Sequence, residues 1–177
     1  MEIEEFFLKS LGEWTSMRSS HSLAFQEFEE IRSKIKIVLA KSNDSRVIKL
    51  IKDNLITNKE LNKAFVINWK AKSEWDDDNK KENSSGESLL IPLESSKTEG
   101  KIIRSVGYTK AKQIISLYKL LDDGTLIIYS NYNQISTEER IWFISNNVRS
   151  RSSVTRSNDS LAILQTSYAS EIRCLKK

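Results

Sequence analysis

Along residues 31–173 the chain is a near-continuous series of short segments that alternate apolar and polar side chains or are rich in Ile, Val, Thr, Tyr and Trp. A period of two is the repeat of a strand, whose successive side chains leave opposite faces, and it splits the apolar surface of any helix built from it. The pattern predicts strands over residues 31–39, 64–75, 88–94, 101–108, 113–121, 125–133, 140–145, 148–156 and 162–173. Turn chemistry falls between them. Asp122-Asp123-Gly124 suits a tight hairpin, Asn146-Asn147 tolerates left-handed backbone, and Ser157-Asn158-Asp159-Ser160 is a polar loop. Short strands joined this way fold as an all-β antiparallel sandwich or barrel.

Two helical patterns interrupt the series. Residues 3–11 set Ile3, Phe6, Phe7 and Leu11 at helical spacing, with Glu2, Glu4 and Glu5 at the start, where they favour the dipole, and Gly12 as the stop. Residues 45–55 form a stripe of Val47, Leu50, Ile51 and Leu55 behind Asp44 as N-cap. Residues 76–86 are the most polar and least periodic, and are expected to be a mobile loop.

At 177 residues, 38% apolar and 29% charged, the chain fits one domain over residues 1–177 with a sizeable core. No run approaches the ~20 apolar residues of a membrane helix. The opening Met1-Glu2-Ile3-Glu4-Glu5 is acidic where a signal or transit peptide is basic, so secretion is not expected. The single cysteine, Cys174, allows no intramolecular disulfide, and with one histidine no ordinary zinc site; no metal is expected. A formal charge of +4 is small for a dedicated nucleic-acid binder.

In a strand over residues 148–156, Asn147, Arg149, Arg151, Ser153 and Thr155 share one face, and Val148, Ser150, Ser152 and Val154 the other. In the last strand Glu171 and Arg173 oppose Ser170, Ile172 and Cys174. A barrel of about eight or more strands encloses room for one small ligand, and a cationic lumen implies a polar or anionic guest. Two arginines two residues apart could hold two carboxylates. The same pattern also fits a solvated outer face, because alternation does not say which face is inside. Trp69 and Trp75 share parity, so they either flank a planar guest or pack as core residues. A nucleic-acid module using Arg140, Arg149, Arg151 and Arg156 with Trp142 and Phe143 is a third reading, without a recognised motif behind it.

One set of motifs spans nearly the whole chain. Glu139-Arg140-Ile141-Trp142-Phe143 is followed by Asn147-Val148-Arg149-Ser150-Arg151-Ser152-Ser153 and by Ser170-Glu171-Ile172-Arg173. Ahead of these stand Phe6-Phe7, Gly12-Glu13-Trp14, Arg18, His21, Leu23-Ala24-Phe25 and Phe28-Glu29, then Trp69, Trp75, Gly100-Lys101, Arg104 and Gly107-Tyr108. In this order they resemble the S-type phycobiliprotein lyases, the CpcS/CpeS chromophore lyases. The resemblance implies a lipocalin-like, fatty-acid-binding-protein-like up-and-down barrel of about 8–10 strands with a helix closing one end. It also implies a substrate and a partner. A free linear tetrapyrrole, phycoerythrobilin or phycocyanobilin, is bound non-covalently and attached through a thioether to a cysteine of an apo-phycobiliprotein subunit. The bilin is then substrate, no prosthetic group is expected, and the setting is a cyanobacterial cytoplasm or a plastid stroma. A homodimer is one option for assembly, and a non-catalytic bilin carrier is the alternative activity.

On that reading Arg149 and Arg151 hold the propionates, because guanidinium forks match carboxylates. Trp69 and Trp75 pack on the ring faces, and Glu139 or Glu171 accepts hydrogen bonds from the pyrrole nitrogens. Asn147, Ser153 and Trp142 complete the bilin contacts. His21 and Arg18 join Glu139 as candidate catalytic groups, with two alternatives open: His21 as a structural hydrogen-bonder and Arg18 as a partner of Glu139. Arg173 is expected to pair with Glu171 rather than with ligand, and Cys174 to be dispensable because the reacting thiol belongs to the partner.

Overall fold

A computed structural model of the chain describes residues 1–41, 43–54, 56, 63–73, 84–105 and 113–175. Helix α1 (Ile3–Ser10) leads into strands β1 (Gly12–Ser22) and β2 (Glu27–Leu39), followed by helix α2 (Ser45–Asp53). Eight more strands follow: β3 (Phe65–Ser73), β4 (Ser84–Glu94), β5 (Glu99–Ser105), β6 (Gln113–Leu120), β7 (Leu126–Tyr132), β8 (Ile135–Ser145), β9 (Val148–Ser157) and β10 (Ile163–Arg173). Each strand pairs antiparallel with its sequence neighbours, and β1 pairs with β10, so the ten described strands close into an up-and-down barrel without an edge.

Why one end is shut follows from the first ten residues. Ile3, Phe6 and Phe7 of α1 are buried against Phe65, Leu90, Ile102, Tyr118, Leu120, Leu126 and Ile128, the inward residues at one end of the barrel. Phe6 also meets Phe143 edge-on at 5.2 Å. Each such aromatic or aliphatic side chain contributes roughly 1.5 to 3 kcal/mol by leaving water, so α1 is a floor rather than a flap. Helix α2 lies outside the wall, where Val47 and Leu50 cover Val66, Leu89, Ile91 and Ile103. Strands β3 and β4 are therefore apolar on both faces, Phe65 and Leu90 inward and Val66 and Leu89 outward. Asp44 caps α2 as expected, accepting the Arg46 amide at 2.9 Å.

The elements the sequence pattern missed are polar on the lumen side. Strand β1 turns Trp14, Ser16, Arg18 and Ser20 inward, so it shows no hydrophobic alternation to detect. Strand β8 begins at Ile135, ahead of the predicted residue 140, because Thr137 and Glu139 line the same polar lumen. Residues 84–86, expected to belong to a loop, pair with β3 instead, and Gly86 lies opposite Trp69. A Cβ on Gly86 would stand 2.2 Å from Trp69 Cζ2, so only glycine lets the indole lie on that wall. The rest of that expected loop, with Trp75, falls outside the described residues, as do Gly107 and Tyr108. The Asp122-Asp123-Gly124 hairpin forms as read, with Gly124 at φ +83°.

Candidate functional site: a charged layer above an apolar floor

The strand register stacks the lumen in layers from the α1 floor to the opposite mouth. Phe143, Arg149, Glu171 and Ser16 form one row across β8, β9, β10 and β1. Ile141, Arg151, Ala169 and Arg18 form the next, then Glu139, Ser153, Ser167 and Ser20. Arg149 and Arg151 of β9 therefore face inward, which settles the choice that alternation left open for them. Ion pairing then distinguishes the two.

Arg149 is sealed. Its Nε donates to Glu171 Oε2, and the side chains are 6% and 1% exposed. The Arg149 guanidinium stacks on the Trp14 indole at 4.5 Å, and Arg173 stacks on the same indole at 4.2 Å. Trp14 is itself fixed by donating from Nε1 to the Ser10 carbonyl at 2.9 Å. Burial lowers the Arg149 pKa against the pull of Glu171, yet a guanidinium stays charged, so this is a buried ion pair at the base of the cavity.

Arg151 is accessible. Its side chain is 35% exposed, with Nε and Nη2 donating to Glu139 Oε1 at 2.9 and 2.5 Å. Arg104 reaches across from β5 with Nη2 3.6 Å from Glu139 Oε2 and is 28% exposed. Burial pushes the Glu139 carboxyl up, but Arg151 and Arg104 outweigh it and hold the pKa at about 2. Glu139 raises the Arg151 pKa in return. Arg18, in the Arg151 row, is exposed toward the open end, and no carboxylate pairs with it among the described residues. From the Glu139 row upward the rest of the wall is hydroxylic. Ser153 and Ser167 share a hydrogen bond at 2.7 Å, as do Thr137 and Thr155 at 3.1 Å and Ser116 and Ser130 at 2.7 Å. Trp69 is half-buried on the lumen face over Gly86.

Glu139, Arg149, Arg151, Ser153, Glu171, Arg18 and Trp69 thus share the lumen; Trp75 lies outside the described residues, and His21, Trp142 and Asn147 do not join them. His21 lies on the outer face of β1, its ring 4.9 Å from Phe28, so a role on a lumen-bound substrate is corrected. Trp142 is three residues from Glu139 and therefore on the opposite face, against Tyr168 at 6.3 Å. Asn147 sits in the β8–β9 turn at the closed end, where its carbonyl accepts the Arg173 amide. Arg173 does not pair with Glu171; it donates to the carbonyls of Lys9, Leu11 and Asn146 and pins α1 to the barrel rim. The arginines offered as one nucleic-acid stripe are split between faces, with Arg140 outside and bonded to Glu138 at 2.8 Å.

Sequence reasoning missed Arg104 and Trp14 as site residues. Arg104 follows Ile102 by two positions, so the alternation that places Ile102 inward places it inward too.

The fold and this lumen define a lipocalin-like barrel: closed below, charged at mid-height and hydroxylic toward the mouth. The CpeS-like protein family matches residues 2–174. The chromophore lyase CpcS/CpeS 3 of Trichodesmium erythraeum is 35% identical over 98% of this chain and 99% of its own length. The chromophore lyase CpcS/CpeS of Thermosynechococcus vestitus is 33% identical, covering 98% of this chain and 93% of its own. The solved S-type phycobiliprotein lyase CPES from Guillardia theta superposes with a TM-score of 0.86 at 29% identity, covering 100% of this chain and 95% of that one. The chain belongs to the CpeS-like family of chromophore lyases.

Proposed function

We propose that the barrel binds a free linear tetrapyrrole, phycoerythrobilin or phycocyanobilin, without a covalent bond and adds it to a cysteine of an apo-phycobiliprotein subunit. The observation that carries this reading is Glu139, a carboxylate held ionised inside the lumen beside two guanidinia that remain partly open to it. A bilin presents two propionates, a flat conjugated system and pyrrole nitrogens able to share a positive charge. Arg151, Arg104 and Arg18 offer cations to the propionates, and Trp69 offers an aromatic wall to the rings. Glu139 accepts from the pyrrole nitrogens and favours their protonated form, which makes the ring-A ethylidene more electrophilic. The Arg149–Glu171 pair lies beneath as a positioning element, since neither side chain has surface left for a ligand.

In the bond-forming step the partner's thiolate adds to the ethylidene carbon. The double-bond electrons move into the conjugated system, which takes up one proton, so the net change is addition of a thiol across a double bond. No oxidant is needed, and the barrel supplies no nucleophile. Its part is position and facial selectivity. The test is titration with each bilin by absorbance, followed by incubation with purified apo-subunit. A covalent fluorescent adduct that survives denaturation supports the lyase reading. Tight bilin binding with no acceleration of adduct formation would leave a carrier in its place.

A further inference from the structure

The mouth of the barrel carries apolar side chains that its stability does not require. The β1–β2 turn projects Leu23 and Phe25, and the β9–β10 turn projects Leu161, with Phe28 and Ile163 exposed just below. Phe25 is 77% exposed and Leu161 73%. The two turns lie side by side, joined by the Leu23 amide donating to the Leu164 carbonyl at 2.9 Å. Leu161 is unfavourable twice over, because it shows an apolar side chain to water and holds φ at +57°, a region that L-residues other than Asn, Asp and Gly rarely enter. Isolated exposed leucines are ordinary, but five apolar side chains on adjacent hairpin tips form a patch.

We propose that these two hairpin tips are the docking surface for the acceptor subunit, which sits with its cysteine over the mouth. This rests on the lyase reading above. The α1 floor closes the other end, so a thiol carried by a protein must approach a lumen-bound bilin from the open end. Arg18 and Arg151 point into the lumen from β1 and β9, directly below the two tips, so a polypeptide seated there also stands over the substrate. Residues 22–27 and 157–162, the two tips themselves, carry no lysine or arginine and include Glu27 and Asp159, which suits a protein surface and not a phosphate backbone.

The test compares wild type with the double variant Phe25→Ser, Leu161→Asn, in which Asn keeps the left-handed backbone without the apolar side chain. Leu117→Ser, an exposed leucine on the outer face of β6, is the control. The double variant is expected to raise KM for apo-subunit about tenfold or more, as loss of an aromatic anchor does, with kcat, bilin affinity and oligomeric state unchanged. Unchanged bilin affinity also shows that the barrel is folded. An unaltered KM, or an equal rise in KM for Leu117→Ser, overturns the surface while wild-type loading keeps the lyase reading intact. Weakened bilin binding would make the tips a cover over the ligand, and an altered oligomeric state a contact between copies; either overturns the proposal. A wild-type protein that binds bilin but loads no subunit overturns the lyase reading and the surface with it.

Discussion

Replacing Glu171 by Leu leaves the Arg149 guanidinium buried without its carboxylate. Both side chains are almost wholly removed from water, at 1% and 6% exposure, so solvent cannot take the lost partner's place. Removing one member of such a pair costs about 3 to 5 kcal/mol, most of it the desolvation of the surviving charge. With an unfolding entropy of about 2.1 cal/mol/K per residue, a chain of this length loses roughly 8 to 13 °C in Tm. The double variant Arg149→Met, Glu171→Leu removes both charges while keeping an unbranched chain against Trp14. Its stability is expected within about 1 to 2 kcal/mol of wild type or above it, because the pair's mutual attraction only roughly repays its desolvation. Calorimetry at neutral pH distinguishes the cases. A loss below about 1 kcal/mol for the single variant, or a double variant as unstable as the single, would show that the cost lies in packing and would refute the argument. Bilin titration of the stable double variant then separates the pair's influence on the site from its influence on the fold.

The Glu139 carboxyl titrates lower in the folded chain than its ordinary 4.5, at about 2, so the stability it contributes is complete above the ordinary value and is lost as pH falls toward 2. Glu139→Gln should abolish that segment of the acid-unfolding curve, on the order of 3 kcal/mol, and weaken bilin binding at neutral pH; an unchanged acid limb measured by circular dichroism would contradict it. Gly86→Ala drives a methyl into the Trp69 indole and should cost about 1 to 3 kcal/mol while shifting tryptophan emission, whereas an unshifted spectrum would mean the ring does not lie on that wall. Asp44→Ala removes the α2 cap for about 1 kcal/mol and, because α2 packs outside the barrel, should leave bilin affinity intact. Cys174→Ser should transfer bilin at the wild-type rate, and loss of transfer with binding retained would place a nucleophile in this chain.

How much of this was legible depended on which face of each strand was apolar. Strands β3 to β7 carry apolar residues on at least one face and could be read directly, as could α1 and α2 from their stripes. Strand β1 could not, because its inward row of Ser16, Arg18 and Ser20 faces a polar lumen and its outward row faces water. That omission carried a further error, since His21 could be assigned to the site only while β1 had no register: seven residues from the inward-facing Trp14, it must face out. The placement of Trp142 was avoidable, because a strand cannot present both Glu139 and a residue three positions on to one cavity. Asn147 shows the opposite limit, where parity with Arg149 loses its meaning once the strand ends in a turn. Alternation gave Arg149 and Arg151 the same face and no means of telling them apart. Their difference comes from what stands across the lumen. Glu171 closes over Arg149 from the neighbouring strand and Trp14 lies beneath it, whereas Arg151 shares Glu139 with an arginine from the far wall. Arg151 and Arg104 keep part of their guanidinia accessible, at 35% and 28% exposure against 6% for Arg149, so on the proposed bilin reading two propionates are better met by Arg151 and Arg104 than by Arg149 and Arg151.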